Sequence, residues 1–251
     1  MKSQASAHPT FSAFAPAAVE DLLTGDRLLR RAFLEQPYNS IGRQGAVFPG
    51  ENGEAPVILI QRGIAYRSST LPDGRRAILD LLLPGDVGGI DNAVLGRANQ
   101  ALTAANALGY RAMRAAMLRD LMGTRPVALR VATLMAEAGW RMDRHLTAIS
   151  RLDARERIAL FLLDIHDRLR RRELIARPTF NLPLTQEQIA DHLGMTMVHV
   201  NRTLRRLRED RLVLVAQQVV IITDLDRLRA LLGGMPSLAE LPEPLAVATA
   251  H

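Results

Sequence analysis

An arginine-rich stretch near the C-terminal end of the chain has the residue types that bind nucleic acid. Residues 184–210 read LTQEQIADHLGMTMVHVNRTLRRLRED, two short helical patterns that meet at Gly194. The planar guanidinium of Arg202 can donate two hydrogen bonds to O6 and N7 of guanine, and the amide of Asn201 can read adenine or hold a phosphate. Further arginines on the same helix would attract the phosphate backbone in a salt-dependent manner. The stretch therefore predicts double-stranded DNA as a partner.

Two capped helices are expected to position these side chains. Thr185 and Gln188 form a capping box, Gly194 permits the positive φ that ends the first helix, and Thr196 caps the second. The residues expected to turn inward from the second helix are Val200, Leu204 and Leu207. Such a pair is a helix-turn-helix, whose second helix enters the major groove with its N-terminal residues leading. The predicted DNA contacts are Thr185, Gln186, Thr196, Met197, Val198, His199, Asn201, Arg202, Arg205 and Arg206.

The overall charge fits a polyanionic partner without proving one. The 251 residues carry a formal net charge of +6, and a basic excess of this size is equally compatible with an inert surface. The directed pattern of the second helix favours DNA contact over a solvated arginine face. An architectural protein that binds only the DNA backbone is an alternative, and the base-reading residue types argue against it.

Several function classes are excluded by residues that the chain lacks. There are no cysteines, so disulfides, thiolate metal sites and cysteine-ligated iron–sulfur clusters are excluded. No phosphate-binding glycine loop, HExxH or GxSxG motif occurs, and we do not expect an enzyme or a metal site. Asp164, His166 and Asp167 look like a solvated helix face. The absence of a long apolar run and of a signal-peptide pattern predicts a cytoplasmic protein with no membrane partner.

The N-terminal half has the pattern of short strands. Residues 1–15 are rich in Ser, Ala and Pro and are predicted to be flexible. From about Gly42, apolar runs such as VILIQRGIAY and AILDLLLPGD alternate with turn signals, of which LPDGR is the strongest. Several short strands in succession indicate a small antiparallel barrel or roll over residues 16–122.

A long helix is predicted to follow, over residues 123–152, with Thr124 as its cap and Pro126 in its first turn. Apolar residues and one histidine recur along it at alternating spacings of three and four. They are Ala128, Val131, Met135, Ala138, Met142, His145 and Ile149. Such a seam favours a parallel homodimer, and the alternative is an ordinary core helix packed on its own domain.

The C-terminal part is predicted to form one domain over residues 153–235. Asp153 and Glu156 resemble a capping box that opens a helix ending near Arg172. After the helix-turn-helix, LVLVAQQVVIIT gives two apolar runs around a polar turn, which indicates a β-hairpin. Residues 236–251 are predicted to be a flexible tail.

The segment LTQEQIADHLGMTMVHVNRTLRRLREDRLV resembles the winged helix-turn-helix of the Crp/Fnr family of bacterial transcription regulators. The order of the parts is similar as well. The resemblance implies an α+β fold, with an N-terminal double-stranded, jelly-roll-like β-roll, a long dimerisation helix and a C-terminal winged helix-turn-helix. It further implies a homodimer that binds a two-fold-symmetric operator and regulates transcription initiation, with RNA polymerase as a partner.

Two positions of the recognition helix depart from the family pattern. Family members often carry a glutamate four residues before the arginine that matches Arg202, and here that position is Val198. A carboxylate accepts a hydrogen bond from cytosine N4, whereas valine can contact the thymine methyl group. His199 stands where many members have Thr or Ser, and we expect it to contact phosphate or to support a residue that does, and not to act as a pH sensor. The operator should therefore differ from those of the best-known members.

The roll departs from the cyclic-nucleotide binders of the family. LLLPGDVGG resembles their PGD turn, but Gly89-Ile90-Asp91 and Asn99-Gln100-Ala101 replace their Gly-Glu-Leu and Arg-Ser-Ala. The carboxylate for the ribose and the arginine for the phosphate are both missing, and Arg97 is a weak substitute. We expect a roll that does not bind cyclic AMP, and no cofactor is predicted. The effector stays unknown, and the alternatives are an effector-independent protein with a vestigial roll and a sensor with a histidine-ligated haem.

Overall fold

A computed structural model describes residues 27–48, 55–96 and 100–235, so the predicted flexible ends lie outside the described residues. The strands are β1 (Tyr38–Ile41), β2 (Ala46–Phe48), β3 (Val57–Arg62), β4 (Ala65–Thr70), β5 (Arg76–Leu82), β6 (Val87–Gly88), β7 (Ala101–Ala104), β8 (Leu108–Met113), β9 (Thr179–Asn181), β10 (Val213–Ala216) and β11 (Val219–Ile222). The helices are α1 (Arg27–Leu34), α2 (Ile90–Leu95), α3 (Ala115–Leu121), α4 (Arg125–Arg151), α5 (Ala154–Arg171), α6 (Gln186–Leu193), α7 (Met197–Glu209) and α8 (Leu225–Ala230).

Two antiparallel sheets form the predicted roll. Their strand orders are β1-β8-β3-β6 and β2-β7-β4-β5. Strand β3, sequence VILIQR, is buried at its first five positions. Its Ile58 and Ile60 belong to the apolar cluster of the roll interior, whereas Val57 and Leu59 pack in a second cluster with residues of α1, α3 and α4. Since one face of this sheet meets the other sheet and the opposite face meets helices, the strand reads as a continuous apolar run.

The hairpin between β4 and β5 projects from the roll toward the C-terminal part. Its turn contains the predicted LPDGR signal, with Gly74 at a φ of +86° and a hydrogen bond from the Gly74 N–H to the Leu71 carbonyl. Glycine reaches this left-handed region without steric strain.

Helix α4 has the predicted length, but two expectations about it are wrong. Thr124 occupies the N-cap position without a side-chain cap bond, because its hydroxyl donates instead to the Leu121 carbonyl at 2.8 Å. Val131, assigned to the dimer seam, is only 1% exposed and packs with Val127 in the cluster between the roll and its surrounding helices. A side chain already buried in its own chain has almost no surface left to bury against a second copy.

His145 is also a correction to the predicted seam. Its ring stacks on His192 of the same chain, with ring centroids 4.4 Å apart and an interplanar angle of 16°. Ala138 and Met142 line the same small cavity as His145, between α4, β5 and α5. Met135 and Ile149 are exposed, so the uncovered face of α4 is turned from the predicted seam by about one residue.

The C-terminal part, from α5 to α8, is called the winged head below. The capping boxes at Asp153 and Thr185 are confirmed, as is the hairpin β10–β11. His166 and Asp167 contradict the expected solvated face, because both are buried and Asp167 accepts from Arg229 at 2.9 Å.

The largest apolar cluster joins the head to the roll, because it contains roll residues such as Tyr66 and Ile78 together with head residues such as Phe161 and Leu207. Within the described ranges, no helix is long and apolar enough to cross a membrane.

Candidate nucleic-acid interface

The turn between α6 and α7 fixes the angle of the recognition helix. The Thr185 hydroxyl accepts from the Gln188 N–H at 3.1 Å, and the Gln188 side-chain oxygen accepts from the Thr185 N–H at 2.9 Å. Gly194 ends α6 with a φ of +62°, and the Thr196 hydroxyl accepts from the His199 N–H at 3.2 Å. Both helix starts are therefore fixed by local hydrogen bonds, as the sequence predicts.

The inner face of α7 packs into the core of the head. Val200 and Leu207 are fully buried, Leu204 is partly buried against the same cluster, and Thr203 is buried as well. The predicted inward residues are thus placed correctly, and Thr203 is an addition. Burial of this face leaves α7 a single orientation on α6.

The outward residues of α7 form one continuous surface, called the reading face below. It comprises Met197, Val198, Asn201, Arg202 and Arg205. Val198 is 72% exposed in the first turn, which is the part of a recognition helix that reaches base edges. Arg205 donates to Glu209 at 2.9 Å, whereas Arg202 has no ion-pair partner among the described residues. Of the two arginines on the reading face, Arg202 is therefore the one whose guanidinium is not held in an ion pair.

The other predicted contacts surround the reading face. Gln186 and Thr196 are exposed, and Thr185 and His199 are partly exposed. Arg206 is exposed on the adjacent side of α7. Hydroxyl, amide and imidazole groups at helix starts are typical phosphate ligands, because free backbone N–H groups are concentrated there.

The wing is an element that the list of predicted contacts missed. Gln217 and Gln218 form the tip of the β10–β11 hairpin with φ values of +49° and +66°, and both are exposed. Two left-handed residues make the turn that matches the twist of a tight hairpin. Such positions usually carry Asn or Gly. Here the signal for a turn in the sequence is the polar pair Gln217-Gln218 between two apolar runs.

A small cavity lies between the PGD turn and α4, where the resemblance places a ligand. Its volume is about 160 Å³, and its charged lining consists of Arg67, Asp80, Asp86, Asp91, Glu137 and Arg141. Arg67 donates to Asp91 at 3.2 Å, and Arg141 donates to Asp80 at 2.9 Å. Both guanidinium groups of the lining are therefore paired within the chain. Arg97 and Asn99 lie outside the described residues.

Asp86 of the same turn links this cavity to the winged head. Its carboxylate accepts from Arg168 and from Arg172, the latter at 2.5 Å, and from the Leu83 N–H at 2.6 Å. Burial alone would raise the pKa of Asp86, but Arg168 and Arg172 hold it well below its usual range. The roll and α5 are thus joined by a buried ion network.

Comparison with known proteins agrees with this architecture. A Crp-like helix-turn-helix domain model matches residues 156–231. The transcriptional activator protein FnrL of Cereibacter sphaeroides is 34% identical over 184 residues, which cover 68% of this chain and 71% of the relative. The transcriptional activatory protein AadR of Rhodopseudomonas palustris is 29% identical over 76% of this chain and 79% of the relative.

The chain belongs to the Crp/Fnr family. The solved structure of FixK2 from Bradyrhizobium japonicum superposes with a TM-score of 0.70 at 26% identity, over 78% of this chain and 96% of that one. This Crp/Fnr protein is thus a DNA-binding transcription regulator, and its named relatives are regulators and not enzymes. Among residues 27–48, 55–96 and 100–235, no group of three or more His, Cys, Asp or Glu side chains could hold a metal ion.

Proposed function

We propose that this Crp/Fnr regulator binds a palindromic operator as a homodimer, reads it with Arg202 and Val198, and acts on transcription initiation through RNA polymerase. The observation that carries the proposal is the reading face, which is exposed and has an unpaired guanidinium in its centre. Bidentate recognition of guanine by arginine discriminates against a wrong base by about 1–3 kcal/mol. Val198 supports a preference for thymine at the neighbouring position.

A revised dimer surface supports the two-fold arrangement. Seven exposed residues of α4 lie along one side of the helix, most of them three or four positions apart. This open stripe comprises Ala132, Met135, Ala136, Gly139, Asp143, Leu146 and Ile149. Leu146 is 62% exposed, and a Cβ placed on Gly139 would meet no atom within 4 Å. A long helix with an uncovered, mainly apolar stripe is stabilised by pairing with a second copy.

The cavity in the roll supports a regulator that does not respond to cyclic AMP. Its volume of about 160 Å³ is below the range of about 300–1,000 Å³ that ligand pockets usually have. Its lining contains four carboxylates against two guanidinium groups. A buried phosphodiester needs an arginine or a backbone nest, and the arginines here are already paired.

Selection of bound sites from randomised duplex DNA tests the reading function. We expect a palindrome, and we expect Arg202→Ala to lose about 10- to 100-fold in affinity for it while sequence preference relaxes at one position. Arg208→Ala is the matched control, because Arg208 is an exposed arginine in the last turn of α7. It should weaken binding to all sequences about equally. Binding without any sequence preference in the unaltered protein would refute the proposal.

Sedimentation of the full chain tests the homodimer. We expect Leu146→Asp to shift the protein toward the monomer, since a charge would be buried in the seam. Leu95→Asp is the control, because Leu95 is 65% exposed at the end of α2. Equal behaviour of the two variants, or a monomeric unaltered protein at micromolar concentration, would contradict the open stripe as the dimer surface.

A further inference from the structure

Helix α6, the first helix of the helix-turn-helix, adds its own contacts with the roll to those that α5 makes. Arg76, at the start of β5, donates to Asp191 of α6 from Nε at 2.9 Å and from Nη2 at 2.7 Å. The two side chains are 30% and 23% exposed. Arg76 is also held from the roll side, where its guanidinium lies 5.7 Å from the centre of the buried Tyr66 ring.

The next residue of α6 makes a second contact with the same strand. His192 Nδ1 lies 3.0 Å from the Ile78 carbonyl oxygen. Since a carbonyl can only accept, Nδ1 carries the hydrogen. The ring of His192 stacks on His145 of α4 at 4.4 Å and lies 5.2 Å from the Phe161 ring. Adjacent residues of α6 thus contact β5, α4 and α5.

A third contact joins the end of α6 to the end of α4. Arg157 donates to the carbonyl oxygens of Ile149 at 2.8 Å and Leu152 at 2.9 Å, and to that of Leu193 at 3.4 Å. Helix α4 carries the open stripe of the proposed dimer. These contacts therefore fix α6, and with it the recognition helix α7, relative to the proposed two-fold axis. The Arg76–Asp191 ion pair and the His192–Ile78 contact join these elements to the roll.

The contacts leave the DNA-binding side open. The hairpin tip and the start of α7 line a groove of about 1360 Å³, with Arg75 on one side and Thr196 and His199 on the other. Val198 and Met197, in the first turn of α7, are 72% and 49% exposed. The roll therefore contacts the head at α6 and leaves the first turn of α7 exposed.

We propose that the Arg76–Asp191 ion pair is a latch that positions the winged head, so that the two recognition helices of the dimer keep a fixed separation. The inference rests on the proposed homodimer. Half-sites read by such dimers lie about one helical turn, about 34 Å, apart. Arg76 and Asp191 are positioning residues that do not touch DNA. Their loss should leave each head able to bind a half-site while the separation of the two heads becomes variable.

The test compares operators of different spacing with the full-length protein. The selected palindrome is made with its native centre and with one base pair added or removed, and a duplex with a single half-site is included. Asp191→Asn removes the charge and keeps the shape of the side chain. We expect its half-site affinity to stay within about twofold, and its preference for the native spacing to fall about fivefold, in the range of ordinary coupling between sites.

Two controls separate positioning from general damage. The charge swap Arg76→Asp with Asp191→Arg should restore the spacing preference, because the pair can form with exchanged partners. Arg31→Ala should change nothing, because Arg31 of α1 is 77% exposed and pairs locally with Glu35 one turn later. The latch is overturned if Asp191→Asn keeps the full spacing preference, if it weakens half-site and palindrome equally, or if the swap fails to restore the preference. If the unaltered protein has no spacing preference, the proposed dimeric regulator itself fails.

Discussion

Replacement of Asp86 by asparagine should destabilise the protein more than almost any other isosteric change. Asp86 is 6% exposed and is the counter-ion of Arg168 and Arg172, whose side chains are 9% and 20% exposed. The amide keeps the size of the side chain and can still accept from the Leu83 N–H, but its NH2 group replaces the oxygen that accepts from Arg172. The change therefore removes the charge and one acceptor. Breaking a buried ion pair from one side costs about 3–5 kcal/mol, because the partner charge stays buried. Since Arg172 can reach water, we expect the lower end, about 3 kcal/mol.

Urea unfolding at fixed protein concentration measures this loss, because dimerisation would otherwise change the apparent stability. With a slope of about 3 kcal/mol per molar urea, the midpoint should fall by about 1 M. Asp73→Asn, which breaks the exposed pair with Arg75, should cost under about 0.5 kcal/mol. Adding Arg168→Met to Asp86→Asn should recover most of the loss, since the buried charge is then absent. Equal midpoints for Asp86→Asn and Asp73→Asn would refute the reasoning.

Two further predictions concern pH and backbone strain. Burial, and then the neighbouring His145, lower the pKa of His192 to about 4, so the unfolded chain takes up a proton first as the pH falls. The free energy of unfolding of the unaltered protein, relative to that of His192→Phe, should therefore be highest above about pH 6.5 and fall by up to about 3 kcal/mol toward pH 4. A difference that stays constant over this range in acid titrations would contradict the prediction. Gly194→Ala should cost about 1–2 kcal/mol from its φ of +62° alone, because the added Cβ meets only Ile149 at 3.8 Å. Gly89→Ala should cost more, because its Cβ would lie 2.5 Å from the Pro56 carbonyl, and thermal unfolding that ranks the two variants the other way would refute this.

Local features of the sequence predicted the reading element well. A capping box such as Thr185 with Gln188, a turn glycine such as Gly194 and a two-residue hairpin turn act over fewer than five residues, so composition and spacing are sufficient. The recognition helix follows from the same reasoning, because its apolar residues have a single period and a single core to face.

The orientation of α4 could not be predicted in the same way. Apolar residues occur on most of its circumference, and periodicity cannot tell which of them meets the roll and which meets a second copy. The contacts between roll and head also escaped prediction, since Arg76 and Asp191 are separated by 115 positions. Local spacing places Asp167 on a solvated face, because its partner Arg229 is 62 residues away. Long-range pairs of this kind are set by topology and not by local spacing.

The apolar cluster shared by Tyr66 and Ile78 of the roll and Phe161 of the head bears on how such regulators diversify. Two modules that touch only through a linker can be exchanged between relatives by recombination at that linker. Here the roll and the winged head share one apolar cluster, so a head from another relative would not fit the surface of β4 and β5. Changes in signal and changes in operator are therefore expected to accumulate by substitution within one lineage, with the roll and the head inherited as a matched pair.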